Sequence, residues 1–263
     1  EEYVEKAKEY GLPAISLTDH GTLTSMFGFK KLCLSNQVKT IIGCEVYQAH
    51  DRLVKNKDMN DRFHLVLLAK NDVGLKNLLS IVNNAYSEGF YYKPRTDMSY
   101  MKEHAEGIIC LSACVGGEIP QAILNLKSDE EIIQLIQTYK STFDDFFLEI
   151  QPGQFEEQLR VNAELLRFAK LTNTPLVVTN DVHYAEHYDA CSHDYHVKIA
   201  RKQPITDPQV YPDDCYWLMN YDDIIAAFND TIPLDILETA IDNTVVIADM
   251  IEPYTEEEVH MPS

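Results

Sequence analysis

The stretch PLVVTNDVHY, residues 175–184, places an acid and an imidazole directly after an apolar run that is typical of a buried strand. Residues i and i+2 of an extended segment point to the same side of the chain. The side chains of Asp181 and His183 are therefore expected to converge on one point in space.

A second strand-like run ends in the same residue types. The stretch AISLTDHG, residues 14–21, is apolar at first and closes on Asp19 and His20. Two strands that deliver acids and imidazoles at their carboxyl ends predict a metal site on an α/β scaffold.

Strand-like and helix-like patterns alternate along the first 190 residues. Apolar runs predict strands, and the segments between them carry apolar residues at helical spacing. This alternation predicts βαβ units, a parallel sheet, and a barrel whose chemistry lies at the carboxyl ends of its strands. The predicted strands are 13–18, 40–47, 63–69, 107–112, 146–150 and 175–179, and the predicted helices are 1–10, 22–36, 72–87, 118–140 and 154–170.

The pattern changes after about residue 190. A helix is predicted over 188–201, followed by a proline-punctuated loop and by helices at 221–228 and 234–250. We therefore predict a barrel domain over 1–200 and a helical appendage over 201–263 that leads into another domain.

The composition is that of a globular protein with a strongly acidic charge. The 263 residues are 45% hydrophobic and carry a formal net charge of −20. This charge argues against a general nucleic-acid-binding surface, because phosphate contacts need Lys and Arg.

No apolar run approaches the ~20 residues of a membrane span, and no signal peptide is present. We expect a soluble cytoplasmic protein without a membrane partner, excised from a longer chain because it opens on Glu1 within a helical pattern.

The cysteines do not form the spacing of a disulfide framework. They are scattered through a long chain rich in strand-like runs, so most are expected to be buried thiols. They are Cys33, Cys44, Cys110, Cys114, Cys191 and Cys215.

Candidate metal ligands recur at predicted strand ends. Zinc accepts imidazole, carboxylate and thiolate, whereas manganese and iron favour nitrogen and oxygen. A site with several such groups could hold two or three ions, which would clamp a phosphate between them. The candidates are His20, Glu45, Cys114, Asp181 and His183 near strand ends, with His64 at the start of its strand.

Several motifs together resemble the PHP (polymerase and histidinol phosphatase) domain of the bacterial replicative DNA polymerase III alpha subunit, DnaE type. The resemblance covers essentially the whole chain. The motifs are LTDHG (17–21), IGCEVY (42–47), HLVLLAKN (64–71), GFYYKPR (89–95), LSAC (111–114), NDVHY (180–184) and DNT followed by IA (242–248).

The resemblance implies a distorted seven-stranded βα barrel with a metal centre of up to three divalent ions, zinc or manganese. It implies metal coordination by the residues that match the family motifs. In the family a strand with a His-x-His pair comes first. The resemblance implies that this strand and its part of the ligand set lie just upstream of Glu1, and we expect a barrel without them in the given chain. The implied ligands here are His20, Glu45, His64, Cys114, Asp181 and His183.

Each of these residues also has a structural interpretation. Asp19 either caps the following segment or orients a ligating histidine from behind, and we place it behind the ligands. His64 lies at the wrong end of its strand for a simple barrel, so spacing alone favours a structural role. Glu45 interrupts an apolar strand and needs a partner, while Cys114 could be a buried thiol.

Two further groups invite a functional interpretation. His187, His193 and His196 are interpreted as packing or solvent-facing residues rather than ligands. The tract with Tyr92, Lys93 and Arg95 combines aromatic rings with cations, which can stack bases and contact phosphate. The alternative is a loop packed on the barrel.

The resemblance supports two functional hypotheses. The first is a metal-dependent phosphoesterase within a DNA-directed DNA polymerase (a nucleotidyltransferase), with 3′-to-5′ proofreading exonuclease activity on DNA. The second is a module that stabilises the polymerase chain and docks other replisome subunits, with metals as structural staples. The motivation for the second is the acidic charge.

Overall fold

The computed structural model describes residues 1–57 and 61–255, which form a curled seven-stranded sheet flanked by helices. The strands are β1 (Ala14–Leu17), β2 (Lys39–Ala49), β3 (Phe63–Ala69), β4 (Arg95–Asp97), β5 (Ile108–Leu111), β6 (Asp145–Ile150) and β7 (Leu176–Val178). The helices are α1 (Glu2–Glu9), α2 (Met26–Asn36), α3 (Asp72–Ser87), α4 (Met98–Glu103), α5 (Glu118–Leu124), α6 (Asp129–Thr142), α7 (Glu156–Thr172), α8 (Ala190–Arg201), α9 (Tyr221–Phe228) and α10 (Leu234–Met250). A 3₁₀ turn at His187–Asp189 precedes α8.

Local capping signals explain where two of the central helices begin. The Ser128 hydroxyl accepts from the Glu131 amide (3.3 Å), and the Glu131 carboxylate accepts from the Ser128 amide (2.9 Å), which starts α6. The side chain of Asn71 accepts from the Gly74 amide (3.0 Å) at the start of α3. Each such cap contributes about 1 kcal/mol to its helix.

The sheet is mixed rather than parallel. Its order is β1-β2-β3-β5-β6-β7, with β4 paired to the end of β2. All pairs are parallel except those of β3, which is antiparallel to both β2 and β5. The parallel sheet predicted from the alternation is therefore wrong at β3. A parallel crossover needs a segment that packs on the sheet, usually a helix, and the polar connection 50–62 offers no apolar helical face.

The short strand β4 lies at the end of a tract that the sequence pattern assigned to a loop. Its residues pair in parallel with Tyr47, Gln48 and Ala49 of β2. Three residues are too few for an alternating pattern to be recognised. This strand therefore forms because its backbone pairs with the end of β2.

The curled sheet is open between β1 and β7, which end the strand order in the described residues. A cavity of about 750 Å³ is lined by residues of these two strands, of the strands between them and of α10, including Ile241 and Ala248. The barrel is thus a half-closed, distorted one, as the fold class predicted. A further strand upstream of Glu1 stays a prediction.

The main hydrophobic core joins the sheet to the C-terminal helices, and a second, small cluster is formed by Val4, Cys33 and Val38. The main core extends from Leu23 through the strands to Phe228, Leu237 and Tyr254, so the predicted appendage packs into the same core as the barrel. The boundary at residue 200 stays a prediction, and residues 256–263 of that segment lie outside the described residues.

The described residues also bear on two expectations about the environment of the protein. None of their helices combines the length and apolarity needed to cross a membrane. All six cysteines are free, as expected from their spacing: three are buried, Cys114 and Cys215 are half-buried, and Cys191 is exposed.

Candidate metal centre

The topology brings the six predicted ligands to one end of the sheet. His20 follows β1, Cys114 follows β5, and Asp181 and His183 follow β7, all at the carboxyl ends of parallel strands. His64 lies at the amino end of β3. Because β3 is antiparallel to its neighbours, that amino end lies at the same edge of the sheet. Spacing alone placed His64 at the wrong end of its strand for a metal ligand. The antiparallel direction of β3 brings it to the same edge as the other candidates.

Three of the predicted ligands form a compact cluster. Ligand atoms of His20, Glu45 and His64 all lie within 4.8 Å of one another. The Nδ1 atom of His20 is 3.6 Å from Oε2 of Glu45, and the other oxygen of Glu45 contacts Nδ1 of His64. The Glu45 side chain is buried, whereas His20 remains open to solvent. The cluster is thus anchored in the sheet and open on one side.

The remaining ligands adjoin this cluster. The Sγ atom of Cys114 is 3.4 Å from Nδ1 of His64, and the rings of His20 and His183 have centroids 6.2 Å apart. Nδ1 of His183 is hydrogen-bonded to the backbone carbonyl of Asp181 (2.5 Å). With Nδ1 held by that carbonyl, Nε2 is the nitrogen free to coordinate a metal.

The electrostatics favour a bound cation. Burial raises the pKa of the Cys114 thiol well above its usual range, and the nearby carboxylates of Asp181 and Glu45 raise it further. Burial also raises the pKa of Asp181, again helped by Glu45. For Glu45 burial acts in the same direction, but the contact with His64 outweighs it and lowers the pKa. A cation bound among these acidic groups would offset the repulsion between their negative charges.

The residues present fit a divalent metal. The Glu45 carboxylate is buried, and the described groups that face it are the imidazoles of His20 and His64. A buried carboxylate inside a strand needs a partner, and a cation held together with these imidazoles would supply one. A donor set of three imidazoles, two carboxylates and one thiol suits zinc, and its nitrogen and oxygen members suit manganese.

Asp19 contributes to the cluster through its backbone. Its carbonyl accepts from the Glu45 amide (3.1 Å) and from the Cys44 thiol (3.3 Å). Asp19 lines the same cavity as His20 and Asp181. A role of its carboxylate in orienting a histidine stays a prediction.

The predicted nucleic-acid tract divides into exposed and buried residues. Tyr92 and Lys93 are exposed, and the Lys93 ammonium lies over the Tyr47 ring, 5.3 Å from its centroid. That ring stacks on His20 with centroids 6.1 Å apart, which places Lys93 beside the cluster.

Arg95 does not face solvent. It is completely buried, and its guanidinium donates to the carbonyls of Gly89, Arg52 and Val54 at 2.9–3.2 Å. The prediction that Arg95 contacts nucleic acid is corrected, because this side chain holds the surrounding loops together. Its position in a buried strand, rather than in a loop, is the reason.

A buried carboxylate that sequence reasoning missed lies behind the ligands. Glu149 of β6 is 3% exposed, and it lines the cavity that also contains Glu45 and Asp181. Burial raises the pKa of Glu149 to about 8, partly offset by hydrogen bonds from Thr179 and Ala113. The available signal was the charged residue within the apolar run FFLEI, the same signal that identified Glu45.

The three histidines interpreted as packing or solvent-facing residues include one that packs on neighbouring rings and two that are open to solvent. His193 lies against the rings of His183, Tyr184 and Tyr211, with centroids 5.2–5.3 Å away. His187 lies 3.1 Å from Asp214, and His196 is exposed.

Comparison with known proteins identifies what the chain is similar to. The family model described as "PHP domain" matches residues 1–153. The DNA polymerase III subunit alpha of Treponema pallidum is 40% identical over 210 residues, which cover 78% of this chain and 18% of that protein. The corresponding subunit of Borreliella burgdorferi is 35% identical over 257 residues, with 95% and 22% covered. That of Thermus aquaticus is 37% identical over 246 residues, with 91% and 20% covered.

Among solved structures, one from Bifidobacterium adolescentis, described as a candidate metal-dependent phosphoesterase, matches with a TM-score of 0.43 and 14% identity. The match covers 89% of this chain and 91% of that one. The chain spans about a fifth of the length of the curated relatives named above.

Proposed function

The chain belongs to the PHP domain family and is homologous to DNA polymerase III alpha subunits, and from this premise we propose that its ligand cluster is a divalent metal centre that hydrolyses phosphodiesters. The observation that carries this proposal is the compact group of His20, Glu45 and His64, with Cys114 beside His64, His183 beside His20, and Asp181 3.8 Å from His183. Zinc or manganese would be held there, up to three ions in the whole protein, with a ligand set of His20, Glu45, His64, Cys114, Asp181 and His183.

Bound ions would supply Lewis-acid activation of the phosphate and of the attacking water. The chain's own residues position the reactants. Glu45 is held within β2 by pairing with Val66 of β3. Its carboxylate therefore has a fixed position relative to His20 and His64 on either side of it. Lys93, stacked over Tyr47, lies where it can attract a phosphate toward His20. Exposed Tyr92 offers a ring on which a base can stack.

We place the activity on DNA, as a 3′-to-5′ exonuclease that proofreads for the polymerase of which the chain is a part. The relatives are subunits of a DNA polymerase, and a nuclease in the same polypeptide would act on a strand the polymerase has just extended. The further partners in this proposal are the rest of the polymerase chain, DNA and other replisome subunits, in the cytoplasm.

The test is a cleavage assay on single-stranded DNA labelled at its 5′ end, with manganese or zinc added. We expect stepwise shortening from the 3′ end that is abolished in the Asp181→Ala, His183→Ala double variant. His187→Ala is the matched control, since His187 contacts Asp214 rather than the cluster. Cleavage that persists unchanged in the double variant would refute the proposed active site.

The net charge of −20 favours a second candidate, a structural and partner-docking module. In that case the ions would act as staples that tie the strand ends together. Metal removal would then lower the melting temperature, while cleavage of DNA would be absent with and without metal. A melting temperature that does not respond to metal removal would count against this candidate.

A further inference from the structure

The buried carboxylate of Glu149 connects the two strand ends that carry Cys114 and Asp181. Its Oε2 accepts a hydrogen bond from the Ala113 amide, one residue before Cys114. Its Oε1 accepts from the Thr179 hydroxyl (2.8 Å), two residues before Asp181. The carboxylate therefore bridges the chain after β5 and the chain after β7.

The backbone of Glu149 strengthens this connection. Its amide donates to the hydroxyl of Ser112 (2.8 Å), and the Gln151 side chain donates to the same Thr179 hydroxyl (3.1 Å). Side chain and backbone of β6 thus hold both neighbouring strand ends in one hydrogen-bonded network.

The segments that Glu149 holds are conformationally unusual. Ala113 has φ 63° and Asp181 has φ 48°, both in the left-handed region. Non-glycine residues occupy this region at a cost and need surrounding contacts to keep them there. The hydrogen bond to the Ala113 amide is such a contact at the turn that aims the Cys114 thiol. The network at Thr179 plays the corresponding role before Asp181.

Glu149 is not placed to be a ligand itself. Both of its oxygens already accept hydrogen bonds from Ala113 and Thr179. A buried polar side chain costs free energy that an apolar residue of similar size would not. Its contacts with the segments that carry two ligands give it a purpose beyond packing.

We propose that Glu149 is a positioning residue of the metal centre, one that aims Cys114 and Asp181 by holding the strand ends that carry them. This inference rests on the proposed metal centre. In metal sites, residues that hydrogen-bond to the ligands or to the segments carrying them keep the ligands in place. Removing such a residue lowers the metal affinity roughly 10–100-fold, and Glu149 has this role here.

The experiment is a titration of the metal-free chain with Co²⁺, followed by the thiolate-to-cobalt charge-transfer absorption of Cys114. Glu149→Met removes both acceptors and keeps the side-chain volume. We expect its cobalt affinity to fall by about 10–100-fold. Glu149→Gln keeps an acceptor for the Ala113 amide, and its NH₂ group can donate to Thr179, so its affinity should remain near that of the parent chain.

Two further variants separate positioning from stability. Asp97→Asn is the matched control, because Asp97 is a buried carboxylate held by Arg52 and by the Tyr100 amide, away from the cluster. It should lose stability without losing cobalt affinity. Thr179→Val removes the other end of the bridge and should weaken cobalt binding, which decides the question if Glu149→Met does not fold.

Hydrogen exchange of the Ala113 amide gives a readout that needs no metal. We expect protection in the parent chain and in Glu149→Gln, and faster exchange in Glu149→Met. Parent-like cobalt affinity in folded Glu149→Met, or in Thr179→Val, overturns the positioning role. If the parent chain binds no cobalt, the proposed metal centre fails and this inference falls with it, even where the exchange data confirm the hydrogen bond.

Discussion

The Nδ1 atom of His20 faces the carboxylate of Glu45 at 3.6 Å, across a backbone bridge that joins the two residues. His20 follows one strand and Glu45 lies inside the next, so the contact depends on the parallel register of β1 and β2, in which Leu17 pairs with Ile42. Glu45 also contacts His64 from the antiparallel strand on its other side. One carboxylate therefore contacts predicted ligands from the strands on both sides of it.

Because Glu45 lies at the centre of the cluster, we expect Glu45→Gln to weaken metal binding strongly while leaving the fold unchanged. An amide keeps the volume but loses the charge that attracts a cation and offers only one oxygen. We expect zinc affinity to fall by at least about tenfold, the lower end of the loss seen when a residue behind a ligand is removed. Calorimetric titration of the metal-free chain measures it. Glu118→Gln is the control, since that carboxylate accepts from Gln48 and Tyr139 outside the cluster. Equal losses in both variants would contradict the assignment.

The cation beside the cluster predicts a specific effect on DNA binding. Lys93→Met should weaken binding of a single-stranded oligonucleotide and flatten its salt dependence by about 0.7 in the log–log slope, the value for one lost phosphate contact. Fluorescence anisotropy over a series of salt concentrations measures both quantities. Lys102→Met, in the last turn of α4, removes an equal charge elsewhere. A parent-like slope in Lys93→Met would show that this ammonium does not contact phosphate.

The buried guanidinium of Arg95 predicts a large loss of stability. Arg95→Met keeps a flexible apolar stem but leaves the carbonyls of Gly89, Arg52 and Val54 without their donor. Hydrogen bonds from charged groups contribute about 1.5–3 kcal/mol each, and losses are not additive, so we expect the free energy of unfolding to fall by about 3–5 kcal/mol. Urea denaturation measures it. A change below about 1 kcal/mol would mean that the loops around Arg95 are held by other contacts.

Tyr254 predicts how stability depends on alkaline pH. Its hydroxyl donates to the Ala69 carbonyl (2.7 Å) and accepts from the Ile42 amide (3.0 Å). Burial raises the pKa of Tyr254 from 10.0 to about 12, against the opposing effect of the Ile42 amide. The folded state therefore holds this proton more tightly than the unfolded state, and the resulting stability is present below pH 10 and lost as the pH rises to about 12.

The matching experiment compares the parent chain with Tyr254→Phe. The phenylalanine variant has no proton to lose, so the parent's advantage should stay constant below pH 10 and shrink by up to about 2–3 kcal/mol between pH 10 and 12. Urea denaturation at several pH values gives both curves. Curves that remain parallel through this range would exclude a contribution of Tyr254.

The sequence pattern predicted the helices and strands well where they are long and periodic. The helices predicted at 72–87, 221–228 and 234–250 appear with the same bounds. The segment predicted as a single helix over 118–140 is two helices, α5 and α6, because the capping box at Ser128 starts a new one. The capping residues at Ser128 and Glu131 can be read from the sequence, but the helical spacing of apolar residues on both sides of them favoured one continuous helix.

The candidate ligands could be chosen from the sequence because charged and ligand-competent residues at the ends of apolar strands need partners. The motif resemblance added His64, which spacing alone would have rejected. Glu149 was missed, although it satisfies the same criterion as Glu45. Its contacts run to a backbone amide and a hydroxyl on other strands, and no spacing rule links residues 113, 149 and 179.

The sequence by itself determined the family and the α/β architecture, and it supplied the candidate metal ligands. Those properties depend on local composition and on motifs, which a one-dimensional pattern carries in full. The tertiary structure alone decided that β3 runs antiparallel, that Arg95 is internal and that Glu149 joins the segments after β5 and β7. These features depend on contacts between segments distant in the chain, where hydrogen-bond pairing and burial, rather than local propensity, select the arrangement.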